Sequence, residues 1–438
     1  MSGVEIGILS IVLVLIAIYC GMQIGVSLIL VSFVSVAMLR SPEVASRLTA
    51  AAVNDVLNEY LFGVVPLFVL MGLLVSVSGV GRDMFDVFQW LLRRVKGGLG
   101  VATVAANAVF AAITGISIAS ASVFTKVAVP EMVRHGYNPK FSVGVVAGSS
   151  VLGMLIPPSL LMIIYGVLAE ESVGRMFLAG VIPGIALAIA FSLMIVGMAH
   201  WFPASVGGNP ESQTFDREET LFSALVKLIP TALLITLVLG GLYGGFFTPT
   251  EAGAVGALGA LIVALARRSL DLRKFWRVLV ETGHVSVSVL FLVITANLYS
   301  RMLALTGMPS ALARAMETMG LGAYGFLTVY VAIVLALGCI IDSVSIMLIM
   351  LPIVLPIAKS FGMDLIWFGV VTVVAVEIGL ITPPFGVSVY TVKAAINDKS
   401  ITIKDIFEGS FPFVICMTLV LIVLILFPGL STWLARAG

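Results

Sequence analysis

Gly153-Met154-Leu155-Ile156-Pro157-Pro158-Ser159 and Gly379-Leu380-Ile381-Thr382-Pro383-Pro384-Phe385 each set a Pro-Pro pair inside an apolar stretch. Proline lacks a backbone N–H and clashes with the preceding turn, so a helix must stop at each pair. The chain around them is 60% hydrophobic and 11% charged over 438 residues, with a mean hydropathy of +1.17. Soluble domains carry about 25% charged residues. Runs such as Ile6–Cys20, Leu178–Ala199, Leu228–Leu242 and Val414–Phe427 approach the ~20 residues of a membrane helix. The sequence therefore predicts an all-α polytopic membrane protein. Inside a bilayer, non-helical backbone persists only where protein buries it or where it lines a polar cavity. Two broken membrane helices in matching positions predict the ion and substrate site of a transporter.

The net charge of +1 leaves no nucleic-acid footprint. Cys20, Cys339 and Cys416 lie far apart in apolar stretches with no CxxC spacing, which predicts reduced, packed thiols. The N-terminus has no basic region and no small-residue cleavage site, so the first span is expected to be retained.

Four segments follow from the pattern. Residues 1–59 read as scaffold helices. Residues 60–200 read as a first unit: a re-entrant hairpin at 60–80, an amphipathic interfacial helix at 82–97, a broken helix, the first Pro-Pro break and a long span. Residues 201–282 hold a polar loop at 203–221, with Glu211, Asp216, Arg217, Glu218 and Glu219, and then further scaffold helices. Residues 283–438 read as a second unit: a hairpin at 283–306, a broken helix, the second break and a last span. About eleven crossings plus the two hairpins are expected. Arg267, Arg268, Arg273, Lys274 and Arg277 form the densest basic loop, which the positive-inside rule assigns to the cytoplasm, together with the 203–221 loop.

A shift of 226 residues superposes the two units without gaps. Gly153 meets Gly379, Pro157-Pro158 meet Pro383-Pro384, Ser117 meets Ser343, Pro130 meets Pro356, Gly136 meets Gly362 and Gly81 meets Gly307. Overall identity at this shift is low, but the matches are mostly residues with special backbone behaviour. Units separated by an odd number of crossings form an inverted repeat around a site near mid-membrane. Coincidence in a chain rich in glycine and proline is the competing account.

A helix that ends in mid-membrane leaves carbonyls unsatisfied, and one that starts there leaves N–H groups. The first end suits a cation such as Na⁺ and the second a carboxylate. Ser159 and Thr382 add hydroxyls at the breaks. Thr114-Gly115-Ile116-Ser117-Ile118-Ala119-Ser120 and Gly338-Cys339-Ile340-Ile341-Asp342-Ser343-Val344-Ser345 have the same character, which makes Ser343 and Ser345 further candidates for substrate. The competing account is back-bonding of these hydroxyls within their helices, or close helix packing through small residues.

Asp342 stands at the centre of an apolar region, where an acidic group costs about 2.5–3.5 kcal/mol. It reads as an ion ligand, a carboxylate just behind the second site, or the cap of a half-helix starting near Ser343. Glu377, two residues before Gly379, reads as protonated, facing a cavity, or helping to hold a cation. Thr248-Pro249-Thr250-Glu251 reads as a capping box with proline at the first helical position. Lys126 and Arg301 have stems long enough to reach an interface, and Arg301 is also a candidate for a substrate carboxylate. His135, His200 and His284 share no metal-ligand spacing.

At these motifs the chain resembles the large membrane subunit of the tripartite ATP-independent periplasmic (TRAP) transporters. The resemblance rests on Gly153–Ser159 leading into Met162-Ile163-Ile164-Tyr165-Gly166, on Phe177-Leu178-Ala179-Gly180-Val181-Ile182-Pro183-Gly184, on Gly245-Phe246-Phe247-Thr248-Pro249-Thr250-Glu251-Ala252 and on Gly379–Pro384. It implies an ion-transporter fold with inverted repeats, two re-entrant hairpins and two broken helices, arranged as a scaffold and an elevator-like transport domain. It also implies Na⁺-driven uptake of an organic acid across the bacterial inner membrane. Implied partners are a small four-helix membrane subunit, expected as a separate chain, and a periplasmic substrate-binding protein. Carried over residue by residue, one Na⁺ site falls on Ser117, Ser120, Gly153, Ile156 and Pro158. The other falls on Gly338, Asp342, Gly379, Thr382 and Phe385, with main-chain carbonyls serving at the Gly, Ile, Pro and Phe positions. Residues 115–120 depart from the Gly-Ser-rich runs common in the family, and only the main chain of Phe385 is suited to a ligand role.

The rival of the same class is an ion-coupled carboxylate carrier that works without a binding protein. An intramembrane enzyme is disfavoured by the absence of HExxH, Gly-x-Ser-x-Gly and paired intramembrane carboxylates, and a channel by the absence of a charged pore ring.

Overall fold

The computed structural model describes residues 2–208, 221–396, 398 and 400–437. The polar loop read at 203–221 therefore lies largely outside the described residues, with Glu211, Asp216, Arg217, Glu218 and Glu219. Among the described residues the chain is helical, and the only extended pairing is an isolated bridge between Tyr137 and Gly207.

The first helices are α1 (Gly3–Tyr19), α2 (Ile24–Leu39), α3 (Pro42–Asn58), α4 (Val64–Val77) and α5 (Val80–Leu91). Next come α6 (Gly98–Thr114), α7 (Ser117–Arg134), α8 (Pro139–Ser150), the single turn α9 (Leu152–Leu155), α10 (Leu160–Ala169) and the long α11 (Val173–Trp201). Short α12 (Pro203–Val206) is followed by α13 (Leu221–Ile235), a π-helical turn at Thr236–Gly240, α14 (Gly241–Tyr243), α15 (Pro249–Ala266) and α16 (Leu272–Thr306). The chain closes with α17 (Met308–Thr318), α18 (Ala323–Gly338), α19 (Ser343–Ser360), α20 (Leu365–Leu380), α21 (Val387–Ala395), α22 (Ile403–Leu426) and α23 (Gly429–Ala437). The capping box read at Thr248–Glu251 is present: Glu251 N–H donates to the Thr248 hydroxyl at 3.3 Å and Thr248 N–H to the Glu251 carboxylate at 2.8 Å.

The hairpins are not where the sequence reading put them. Residues 64–77 and 80–91 form two helices bent by 62°, with Gly79 in the left-handed region (φ 81°) at the bend. The stretch 283–306 is an uninterrupted part of α16, so the boundary drawn at 282/283 falls inside one helix. No proline lies between Leu272 and Thr306, and a lone Gly283 costs only about 1 kcal/mol in a helix interior. It is the expected broken helices that double back. Thr103 of α6 reaches Met132 of α7 at 3.7 Å, and the Phe110 and Phe124 rings sit 5.5 Å apart. Contacts between the start of one helix and the end of the next require an antiparallel hairpin. Gly115 (φ 64°) makes its apex, in a conformation that a side chain disfavours. Phe326, near the start of α18, stacks on Phe361, just past the end of α19, at 5.7 Å. The second hairpin is thus α18–α19, with Cys339–Asp342 at its apex.

The amphipathic helix read at 82–97 is α5. It buries Met84, Phe85 and Val87 and ends at Leu91, several residues early. Among the described residues seven helical segments, with Pro139–Ala169 counted as one, are long and apolar enough to cross a membrane, or up to eight with the bent pair as one, against the eleven expected. Five more apolar helices have 10–17 residues, and at 1.5 Å per residue these fall short of a ~30 Å core. Hairpin apices leave α6 and α18 short, the second Pro-Pro break ends α20, and the turn at residues 20–23 separates α1 from α2.

With the 226-residue shift, α7 at 117–134 lands on 343–360, the bounds of α19, and the stretch 139–155 lands on 365–381, beside α20 at 365–380. Between units, α7 packs against α21, and α10 against α19. Helices α8 and α22 interlock through Gly144 and Gly409, where a Cβ on either would strike the facing backbone. Lys140 joins them by pairing with Glu408 at 2.5 Å and Asp405 at 3.0 Å.

Candidate functional site

Each hairpin apex meets one Pro-Pro break. In the first unit, Leu160 N–H, just past the break, donates to the Gly115 carbonyl at 3.2 Å. A Cβ built on Gly153 would lie 3.0 Å from Ser117 N, so the broken helix passes with its backbone against the N-terminus of α7. In the second unit, Phe385 N–H donates to the Cys339 carbonyl at 3.1 Å. Gly338 and Gly379 face each other so closely that a Cβ on Gly379 would come within 2.5 Å of the Gly338 Cα. Both Pro-Pro bonds are cis.

The breaks leave carbonyls without their helical donors. Pro157 has no N–H for the Gly153 carbonyl and Pro158 none for that of Met154. The Ser159 hydroxyl fills the second gap by donating to Met154 O, and it also accepts from Met162 N–H at 3.3 Å. Ser159 is fully buried, so its hydroxyl is spent on joining the two half-helices rather than on an open substrate surface. Ser117 and Ser120 are buried at the same junction. In the second unit Thr382 N–H reaches back to the Gly379 carbonyl at 3.0 Å, and the Thr382 hydroxyl donates to Ile378 O at 2.6 Å.

Asp342 is exposed at the hairpin apex rather than enclosed at the centre of a span. It caps α19: one oxygen accepts from Ser345 N–H at 3.1 Å and the other from the Ser345 hydroxyl at 2.5 Å. The capping alternative is therefore the arrangement present, with Ser345 as its donor, while Ser343 is buried beside it. Arg301 is drawn away from the site. Its guanidinium pairs with Asp55 of α3 at 2.5 Å and its Nε donates to Asn297 at 2.7 Å. The neighbouring Asn297 and Ser300 line a cleft with Leu355, Pro356 and Lys359, at the far end of α19 from Ser343. Twelve residues of helix put that end roughly 18 Å from the apex.

Glu377 is 1% exposed on α20, and neither of its carboxyl oxygens has a partner among the described residues. A further polar cluster went unread in the sequence: Asn107 on α6, Ser120 on α7 and Ser149 on α8, all buried and bonded to one another. A lone asparagine in the apolar run Val101–Thr114 was the available signal.

Among the described residues no three His, Cys, Asp or Glu side chains gather as a metal site. The donors at the first junction are neutral oxygens, two serine hydroxyls and the orphaned Gly153 carbonyl. That set suits a hard monovalent cation and not a transition metal. At the second junction the neutral donors have an acidic neighbour, Asp342.

The chain is similar along its length to known proteins. The chain is 33% identical over 395 residues to a protein of Pseudomonas aeruginosa named C4-dicarboxylate TRAP transporter large permease protein DctM, covering 90% of each chain. It is 29% identical over 420 residues to the sialic acid TRAP transporter permease protein SiaT of Haemophilus influenzae, covering 96% of this chain and 66% of that one. Among solved structures, the MtrF efflux pump of Neisseria gonorrhoeae shares the fold at a TM-score of 0.59 and 14% identity, over 98% of this chain and 95% of that one. Residues 9–430 match the family described as tripartite ATP-independent periplasmic transporter, DctM component, and the chain belongs to that family.

Proposed function

We propose that this chain is the permease subunit through which an organic acid enters a bacterial cell across the inner membrane, driven by Na⁺ and supplied by a periplasmic binding protein. The observation that carries the reading is the junction of hairpin apex and Pro-Pro break in each unit: Leu160 on Gly115 and Phe385 on Cys339. The near-coincidence of helix bounds at a 226-residue shift supports an inverted repeat. So does the reciprocal packing of α7 on α21 and α10 on α19. The two hairpins and two broken helices form the transport domain of an elevator, and the remaining helices form its scaffold, braced by a small four-helix membrane subunit.

Two Na⁺ occupy the junctions. Ser117, Ser120 and the carbonyls of Gly153, Ile156 and Pro158 hold one. Gly338, Asp342, Gly379, Thr382 and the main chain of Phe385 hold the other. The ions tie apex to break and shape the carboxylate pocket between the apices, where Ser343 stands. Without them, unpaired helix ends would have to cross hydrocarbon, which suppresses movement of the empty carrier. Two Na⁺ with one monoanion carry net +1, so the membrane potential contributes about 2.3 kcal/mol per 100 mV toward uptake.

The test is uptake in proteoliposomes holding the permease and its small subunit. A panel of C4-dicarboxylates and sialic acids would be offered with and without candidate binding proteins. Uptake that needs both an inward Na⁺ gradient and a loaded binding protein is expected. Uptake of free substrate at the same rate favours the carrier that works alone, and indifference to Na⁺ overturns the coupling.

A further inference from the structure

Three buried side chains form a directed chain of hydrogen bonds behind the first junction. The Ser149 hydroxyl donates to Val145 O at 2.6 Å, which uses its only proton. Its oxygen must therefore accept from Asn107, whose amide nitrogen lies at 2.6 Å. That choice fixes the amide: the Asn107 carbonyl oxygen faces Ser120 and accepts its hydroxyl proton at 2.6 Å. With its proton committed to Asn107, the Ser120 oxygen has only lone pairs left to offer. The chain also pins three helices together, since Asn107 lies on α6, Ser120 on α7 and Ser149 on α8, one turn before Gly153. All three residues are fully buried, where such bonds are strong and an unmade one is costly. The positions 226 residues on are Ile333, Ile346 and Ala375, so this chain of hydrogen bonds is not repeated in the second unit, where Tyr330 of α18 and Thr372 of α20 are hydrogen-bonded at 3.0 Å instead.

We propose that Asn107 is a positioning residue for the first cation. It turns Ser120 into an obligate acceptor and holds the apex of α6–α7 in register with the break. This rests on the Na⁺ reading above. In the opposite amide orientation the Ser120 proton would be free to point at the ion, and Ser149 would have to abandon Val145.

The experiment measures Na⁺ activation of uptake in the full reconstituted transporter, with substrate KM at saturating Na⁺ as the second readout. Asn107→Leu keeps the volume and removes both bonds. The expected result is a rise of about tenfold in the half-activating Na⁺ concentration, the equivalent of one lost hydrogen bond, with substrate KM at saturating Na⁺ unchanged. Asn107→Asp still accepts from Ser120 and is expected to recover most of that loss. Ser149→Ala frees the amide to turn and is expected to shift Na⁺ activation in the same direction by about threefold. It carries the test if the Asn107 variants fail to fold. A Na⁺-activated wild type whose Asn107→Leu and Ser149→Ala variants keep its Na⁺ dependence overturns this inference alone. Equal losses in Asn107→Leu and Asn107→Asp also overturn it, because a merely structural role does not distinguish them. A wild type indifferent to Na⁺ overturns the cation reading and this inference with it.

Discussion

The two junctions share a plan and differ in their surroundings. At the first, Gly115, Ser117, Gly153 and Pro157–Ser159 are all buried, and a polar relay backs the apex. At the second, Ile340 is 61% exposed and Phe385 54%, and Asp342 stands open as a cap. The Gly153 carbonyl has lost its helical donor to Pro157, while the Gly379 carbonyl keeps Thr382 N–H. The first break is buried along Pro157–Ser159, although Ile118 of its apex is 47% exposed, and the second break is open along Pro383–Phe385. A carbonyl that is already dry and unpaired loses little on taking up a cation, whereas an exposed one must first be stripped of water.

The harshest way to break this comparison is to separate an apex from its break. Gly379→Ala places a Cβ against the Gly338 backbone and is expected to abolish uptake and lower stability by about 1–3 kcal/mol, read as the midpoint of thermal unfolding. Gly153→Ala also meets backbone, at 3.0–3.1 Å on Ile116 and Ser117, which is tight but looser than the 2.5 Å at Gly379, and should lose less. Equal losses in both would mean that the two junctions are packed alike.

Next in size are the hydroxyls. Ser117→Ala should raise the Na⁺ requirement about tenfold and Thr382→Ala about threefold, because water replaces a lost ligand more readily at the half-buried second break. Na⁺ titrations of uptake at fixed substrate decide the order, and a reversed order would assign the dominant site to the second unit. Accessibility itself is testable through the native Cys339. In a Cys20→Ser, Cys416→Ser background, a membrane-permeant maleimide should label Cys339 rapidly, and Na⁺ with substrate should slow it. A cysteine placed by Thr114→Cys, buried beside the first apex, should label more slowly. The smallest effect is expected at Arg301. Its pairing with Asp55 is a partly exposed ion pair worth about 0–1 kcal/mol, so Arg301→Ala should leave substrate KM nearly unchanged. A large rise in KM would return Arg301 to the site.

Much of this was legible in the chain and some was not. Pro157-Pro158 and Pro383-Pro384 announce broken helices because no local context lets proline donate a hydrogen bond. The box at Thr248–Glu251 is equally local, and it formed as read. The hairpins were misplaced because glycine and proline in an apolar run signal an interruption without saying which way the chain leaves it. A bend at Gly79 and a reversal at Gly115 use the same residue in the same left-handed conformation. What separates them is long-range packing, such as Phe110 on Phe124, and a single sequence does not display it. The central burial expected of Asp342 failed for the complementary reason, while its capping role held. Its apolar neighbours imply burial, yet the apex lifts it into the open.

The interlock of Gly144 with Gly409 carries a mechanical consequence. With no side chain between the two backbones, and Lys140 paired with Glu408 and Asp405 at their ends, sliding the first broken helix past the last long helix would drive backbone against backbone. On the proposed transport cycle, a displacement that starts at one junction would therefore be passed through this contact to the opposite half of the molecule.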